Sequence, residues 1–240
     1  MYRSLKVCVI APCWNEESKI GTVISRIKQT EIADEIVVVD DGSSDNSPEI
    51  SKSQDATVIR LNQTLGVGAA LREGFQYARK NFDVIVVIAG NNKDEPKEIP
   101  RLLDPIADGK AVFVQGSRFL ASGGYGGDMP GYRKLATRLH PLLFSLATGR
   151  HLSESTNGFR AFRTDLLDDT RIQLDQRWLD GYELEPYLLY KVITLGHAHF
   201  EVPVTKIYPS RTLGYTKMKP IRDWWNILRP IVLLRLGLKH

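Results

Sequence analysis

A chain of 240 residues, 42% hydrophobic and 25% charged, suits one α/β domain with a short C-terminal appendage and carries no compositional bias towards disorder. The net charge of +4 fits a phosphate-bearing ligand or an anionic membrane face, while the lack of basic runs argues against nucleic acid as a partner. Neither a signal-peptide core nor an apolar run of ~20 residues is present, so the expectation is a cytoplasmic protein, peripheral on the cytosolic face of a membrane.

The first predicted strand is Leu5–Ala11, apolar enough to be buried on both faces. Cys8 and Cys13 lie in or just after it, without a Cys or His cluster for zinc, and read as buried thiols. The strand exits into Ala-Pro-Cys-Trp-Asn-Glu-Glu (Ala11–Glu17). Pro12, then Trp14 and Glu16, make a rigid lip that can stack on a base and accept its N–H. The plainer reading is a strand-to-helix turn in which Asn15 caps the amphipathic helix Ile20–Gln29.

The second strand, Glu35–Asp40, runs into Asp40-Asp41-Gly42-Ser43-Ser44-Asp45. Paired acids at a carboxyl edge suit hydrogen bonds to a ribose or base, and Gly42 permits the tight turn. Ser43, Ser44 or Asp45 can also cap the next helix. The strand Thr57–Leu61 precedes the helix Gly66–Asn81. Its opening Gly66-Val67-Gly68-Ala69-Ala70 lacks the third glycine of a dinucleotide fingerprint, with Leu71 in that place, and reads as close helix–strand packing.

Val84–Ala89 and Val112–Ser117 are the fourth and fifth strands, around the helix Glu98–Ala107. This alternation predicts a doubly wound, mostly parallel, Rossmann-like sheet with ligands at the carboxyl ends of its strands. Ala121–Gly131 is glycine-rich, the mark of a mobile or ligand-covering loop. Lys134–Thr148 is helical by period, interrupted by Pro141 and stopped at Gly149. Tyr182–Leu195 is a further helix and Phe200–Ile207 a further strand. In the tail, Ile221, Trp224, Trp225, Leu228 and Ile231 recur at helical spacing, with Arg222, Asp223 and Arg229 on other faces. That pattern suits an interfacial membrane anchor, or a stripe packed on the domain or on a partner subunit, with a bend at Pro230. The division expected is a domain at 1–218 and an amphipathic helix at 219–240.

Taken together, Pro12-x-Trp14-Asn15-Glu16 and Val39-Asp40-Asp41-Gly42-Ser43-x-Asp45 resemble the opening of family 2 glycosyltransferases, whose fold is GT-A. Later motifs resemble the dolichyl- or polyprenyl-phosphate mannosyltransferase branch: Gly116-Ser117-Arg118, Thr156-Asn157-Gly158-Phe159-Arg160, Gly181-Tyr182-Glu183, Glu201-Val202-Pro203-Val204 and Arg211-x-x-Gly214-x-Thr216-Lys217. The resemblance implies that Pro12, Trp14, Glu16, Asp40 and Asp41 hold the nucleoside of a GDP- or UDP-sugar donor. It implies that Arg118, Arg133 and Thr137 hold the phosphate of a polyprenyl acceptor, and that Arg211 and Lys217 close over the donor diphosphate. Arginine forks and a compact lysine charge suit those oxygens.

The chain departs from this pattern where an Asp-x-Asp pair is expected to bind a divalent cation. Here the segment reads Ala89-Gly90-Asn91-Asn92-Lys93-Asp94-Glu95-Pro96, with Ala89 and Asn91 at the acid positions. Three accounts follow. Magnesium or manganese is held by Asn91 and Asp94 with the phosphates; or Lys93 is a fixed cation in its place; or the site is silent and the chain is a regulatory subunit. The activity implied is inverting transfer of a hexose to a polyprenyl phosphate, with a soluble or glycan acceptor as the alternative. Glu154 and Glu183 are carboxylates that could serve another acceptor, but nothing in the sequence marks either as a base.

Overall fold

Seven strands, β1 (Val7–Cys13), β2 (Glu35–Asp40), β3 (Thr57–Arg60), β4 (Val84–Val87), β5 (Phe113–Ser117), β7 (Arg160–Arg163) and β8 (His199–Pro203), form the central sheet in the order β3-β2-β1-β4-β7-β5-β8. Two more, β6 (Gly124–Gly127) and β9 (Thr205–Tyr208), make a separate parallel ladder. The computed structural model describes residues 1–129, 131–208, 217 and 222–240. Every pairing in the central sheet is parallel except those of β7, which runs antiparallel between β4 and β5.

Alternation along β1 explains the layering. Cys8 and Ile10 face one core with Val37, Val39, Leu71 and Phe75, while Val7, Val9 and Ala11 face another with Ile20, Ile24 and Leu102. The first core is covered by α3 (Val67–Arg79) and α6 (Leu184–Thr194), the second by α1 (Glu17–Lys28) and α4 (Ile99–Ala107). Helices on both faces make the domain a doubly wound α/β fold, as expected from the alternating elements.

Several elements differ from the expectation. The polar segment Ser47–Ser53 forms a short helix, α2, with Pro48 in its first turn. The glycine-rich stretch contains β6, and Phe200–Ile207 divides into β8 and β9 at Val204. Val204 donates its N–H to the Ser117 carbonyl at 2.9 Å and accepts from the Gly124 N–H at 3.1 Å, so the chain passes from one sheet to the other. Pro141 does not interrupt the helix: α5 spans Gly131–Thr148. Its buried stripe of Thr137, His140, Pro141 and Phe144 lies at helical spacing, and tertiary packing overrides the lost backbone bond. The Gly66–Gly68 turn packs on a loop instead of a strand: a Cβ on Gly68 would stand 1.9 Å from the Leu179 carbonyl oxygen. Close helix–strand packing occurs at Gly74, where a Cβ would lie 2.8 Å from Ile10 Cγ2.

The tail forms α7 (Arg222–Arg235), with Ile227 and Ile231 buried and Trp225 exposed. It packs on α5 and α6. His140 of α5 ties the two helices, with Nε2 3.2 Å from the Ile227 carbonyl oxygen and Nδ1 2.7 Å from Ser155 Oγ. A neutral imidazole satisfies both contacts by donating from Nε2 and accepting at Nδ1. No helix among the described residues is long and apolar enough to cross a membrane.

Candidate active site

The loops leaving β1, β2 and β4 are stitched together by their own polar groups. The Asp41 N–H donates to the Cys13 carbonyl at 2.8 Å, and the Gly90 N–H donates to the Pro12 carbonyl at 3.2 Å. Asn15 sits at φ 51° and does not cap α1. Its Oδ1 instead accepts from the Ser44 N–H at 2.8 Å. The free N–H groups at the start of α1 go to the second loop: Glu16 donates to Ser47 Oγ at 2.8 Å and Glu17 to Asp45 Oδ2 at 3.0 Å. Asp45 also accepts from the Ser47 N–H at 3.0 Å, opening α2, so the expected capping role is real but shared between helices.

Above these loops lies a cavity of about 490 Å³, lined, among the described residues, by seven basic and four acidic side chains. That imbalance favours an anionic occupant. Pro12, Trp14, Glu16, Asp41, Asn91, Lys93, Arg133 and Lys217 all line it. Trp14 is 40% exposed and offers its indole at the lip, with Lys217 Nζ 5.3 Å from the ring centroid. Lys217 Nζ also donates to the Trp14 carbonyl and, at 2.6 Å, to the Asn15 carbonyl, and it pairs with Glu16 Oε1 at 3.0 Å. Asp41 accepts from the Leu65 N–H at 2.8 Å and the Gly66 N–H at 2.9 Å. Burial raises its pKa, and the carboxylate of Asp40 adds to the effect against those hydrogen bonds.

Four expected site residues stand behind the wall. Asp40 is fully buried, accepting from the Ser43 N–H at 3.2 Å and pairing with Arg60 at 3.3 Å, which fixes the turn that presents Asp41. Thr137 donates its hydroxyl to the Arg133 carbonyl at 2.8 Å within α5. Arg118 is 4% exposed and its guanidinium is engaged by Glu154 Oε2 at 2.7 Å, Tyr208 Oη at 2.7 Å and Thr156 Oγ1 at 2.8 Å. It therefore touches the cavity through Thr156, a lining residue. Asp94 Oδ1 accepts from Lys206 Nζ at 2.5 Å. Arg211 lies outside the described residues, as do Gly214 and Thr216.

Of the two unassigned carboxylates, Glu154 is held by Arg118 and Thr156, whose charge and hydrogen bonds outweigh burial and keep its pKa low. Glu183 is paired with Arg229 of α7, and neither carboxylate lines the cavity. Both cysteines are free and buried, and burial pushes each thiol up to about 12, out of reach of reaction.

Several lining residues carry no motif. Lys206, Lys19, Arg222, Asp223 and Asn226 reach the cavity from distant parts of the chain. Only Lys206 left a trace in the sequence. In β9 it is Lys206 and Tyr208 that point inwards while Ile207 is 55% exposed, an inversion of the usual strand pattern. Lys93 is 7% exposed; burial first, then the neighbouring charges of Arg133 and Lys206, pull its pKa down to about 7. An anion entering the cavity counters the last two effects.

The residues after β4 do not fit a divalent cation. Ala89 offers no side-chain oxygen, and Asn91 offers one neutral amide oxygen, buried and without a hydrogen-bond partner among the described residues. Asp94 is neutralised by Lys206. Among the described residues no group of three His, Cys, Asp or Glu side chains could hold a metal ion.

The model of glycosyl transferase family 2 matches residues 8–171. An undecaprenyl-phosphate mannosyltransferase of Micrococcus luteus is 30% identical over 220 residues, 89% of this chain and 88% of its own length. A polyprenol monophosphomannose synthase of Mycolicibacterium smegmatis is 29% identical over 89% of this chain and 81% of its own. Among solved structures, glucosyl-3-phosphoglycerate synthase from Mycobacterium tuberculosis, in complex with Mn2+, uridine diphosphate and glucosyl-3-phosphoglycerate, has a TM-score of 0.70. That likeness covers 99% of this chain and 82% of the other at 21% identity, and is one of fold.

Proposed function

The chain belongs to glycosyl transferase family 2, and from that premise we propose that it moves a hexose from a nucleotide sugar to a polyprenyl phosphate at a membrane surface. One observation carries the reading. An aromatic lip, a buried acid and a cluster of cations from well-separated segments of the chain converge on one cavity at the carboxyl rim of a mostly parallel sheet.

In this reading Pro12, Trp14, Glu16 and Asp41 receive the nucleoside, with Asp40 fixing the turn beneath. Lys217 lies over the same lip and serves the donor diphosphate, with Arg211 as its expected companion. Arg133 receives the acceptor phosphate, and Arg118 positions Thr156 beside it. A phosphate nucleophile is already anionic, so alignment and charge stabilisation suffice without a strong general base. A single displacement inverts the anomeric centre.

The membrane half of the proposal draws on α5 and α7. Tyr132, Leu135, Leu139, Leu142, Leu143 and Leu146 form one exposed apolar stripe along α5, and Trp225, Val232 and Leu236 are exposed on or just beyond α7. No acidic residue occurs in α5. An amphipathic, basic pair of helices beside the cavity suits an anionic lipid surface. The deciding experiment is a screen of GDP- and UDP-sugars against a short polyprenyl phosphate, with product analysis. A glycosyl-phosphoryl-polyprenol is the expected product, and transfer only to soluble acceptors refutes the lipid assignment.

A further inference from the structure

The segment after β4 carries a cation, Lys93, two residues beyond Asn91, which stands at the second expected acid position. Three contacts, one to its backbone and two to its side chains, hold the segment in place. The Ile207 N–H donates to the Lys93 carbonyl at 2.8 Å, and Arg26 donates to Asn92 Oδ1 at 2.8 Å and to Glu95 Oε2 at 2.6 Å. Lys93 lines the cavity from this pinned loop. Its Nζ lies 5.5 Å from the centroid of the Tyr208 ring, and Arg133 Cζ lies 5.5 Å from the same centroid. Two positive side chains thus flank one aromatic ring in a largely buried corner, where their mutual repulsion is poorly screened. Negative charge arriving beside either cation lowers that repulsion, so a donor diphosphate at Lys93 and an acceptor phosphate at Arg133 favour one another. Lys206 acts differently. By pairing with Asp94 at 2.5 Å it engages the carboxylate that follows Lys93 in the same loop.

We infer that Lys93 stabilises the departing nucleoside diphosphate in place of a divalent cation, with Arg133, near the same Tyr208 ring, left to the acceptor phosphate. The inference rests on the nucleotide-sugar reading above. In the step concerned, an acceptor phosphate oxygen forms the new bond to the anomeric carbon as the bond to the donor diphosphate breaks. The electron pair remains on the diphosphate oxygen beside the lysine, and no proton has to move. A point charge on a fixed loop supplies the stabilisation without the several anionic oxygens that magnesium or manganese requires.

Calorimetric titration of the full chain with GDP and UDP, and with GMP and UMP as controls, tests it. Each is run in EDTA, in magnesium and in manganese. The diphosphate that binds is expected to keep its affinity within about twofold in EDTA, and Lys93→Met to weaken it by about tenfold or more while changing the monophosphate by less than about threefold. A thermal melt confirms that the variant is folded. Binding that needs metal in the unmutated chain overturns the inference and leaves the glycosyltransferase reading intact, as does a folded Lys93→Met with unchanged diphosphate affinity. Failure of both GDP and UDP to bind under every condition overturns the nucleotide-sugar reading itself.

Discussion

Arg118 and Arg133 are both arginines of the same expected site, yet their surroundings assign them different consequences. Arg118 neutralises Glu154, which is wholly buried, so Arg118→Ala strands a carboxylate in the interior. It is expected to cost about 3–5 kcal/mol of stability, measurable by urea unfolding. Arg133 instead lines the cavity itself. Arg133→Ala is expected to lower turnover with a polyprenyl phosphate by about 100-fold while shifting stability by under about 1 kcal/mol. The arginines could be picked out in the sequence because charge in a motif invites a ligand, but the identity of the partner could not. Glu154 is 36 residues from Arg118, and nothing local announces the pair. His140 gives a pH signature at the same scale. Burial lowers its pKa to about 4, below the ordinary 6.5. The unfolded chain therefore takes up a proton first as pH falls, and the neutral imidazole contributes stability that is lost between about pH 6.5 and about pH 4. The loss is up to about 3 kcal/mol. Unfolding midpoints of His140→Gln across that range should be correspondingly flatter.

At the level of elements, α5 joins two environments. Its first turn brings Arg133 to the cavity, its inner stripe holds Thr137, His140 and Phe144, and its outer stripe leaves Leu135 and Leu146 about three-quarters exposed, at 69% and 73%. Replacing Leu135 and Leu142 by Asp removes apolar area from the outer stripe without touching the core. Flotation with vesicles of phosphatidylcholine and phosphatidylglycerol should then fall by about tenfold, with the melting temperature unchanged. The elements most legible in the sequence were those whose burial is unmixed: β1, β2, β4 and β5 are buried along almost their whole length. β7 was not legible, because Arg-Ala-Phe-Arg offers only two apolar residues and one of its arginines is buried against Glu185. Nor was β6, whose Gly-Tyr-Gly-Gly is a strand only through its backbone bonds to β9. Pro141 misled for a related reason, since helix propensity is local and the packing that overrides it is not.

Over the whole molecule, the cavity is closed by parts more than 200 residues apart, the lip at Trp14 and the helix α7. α7 also supplies the Ile227 carbonyl to His140 and Arg229 to Glu183. Deleting residues 222–240 therefore uncovers a buried acid as well as an apolar face, and the truncated chain is expected to melt at least about 10 °C lower and to lose nucleotide binding. Half of the site was legible because the loops after β1, β2 and β4 carry their chemistry in contiguous motifs. The other half, Lys206 and the α7 residues, depends on contacts that only the folded chain creates.

Strand β9 shows where that dependence leads. Its four residues each grip a different neighbour: Thr205 donates to Glu98 at 2.6 Å, Lys206 to Asp94, Ile207 to the Lys93 carbonyl, and Tyr208 accepts from Arg118 at 2.7 Å. The strand is a crossbar between Lys93 in the cavity wall and Arg118 behind it. Displacing it tilts both at once, so substitutions along β9 should alter donor and acceptor affinities in proportion, a correlation that independent pockets would lack.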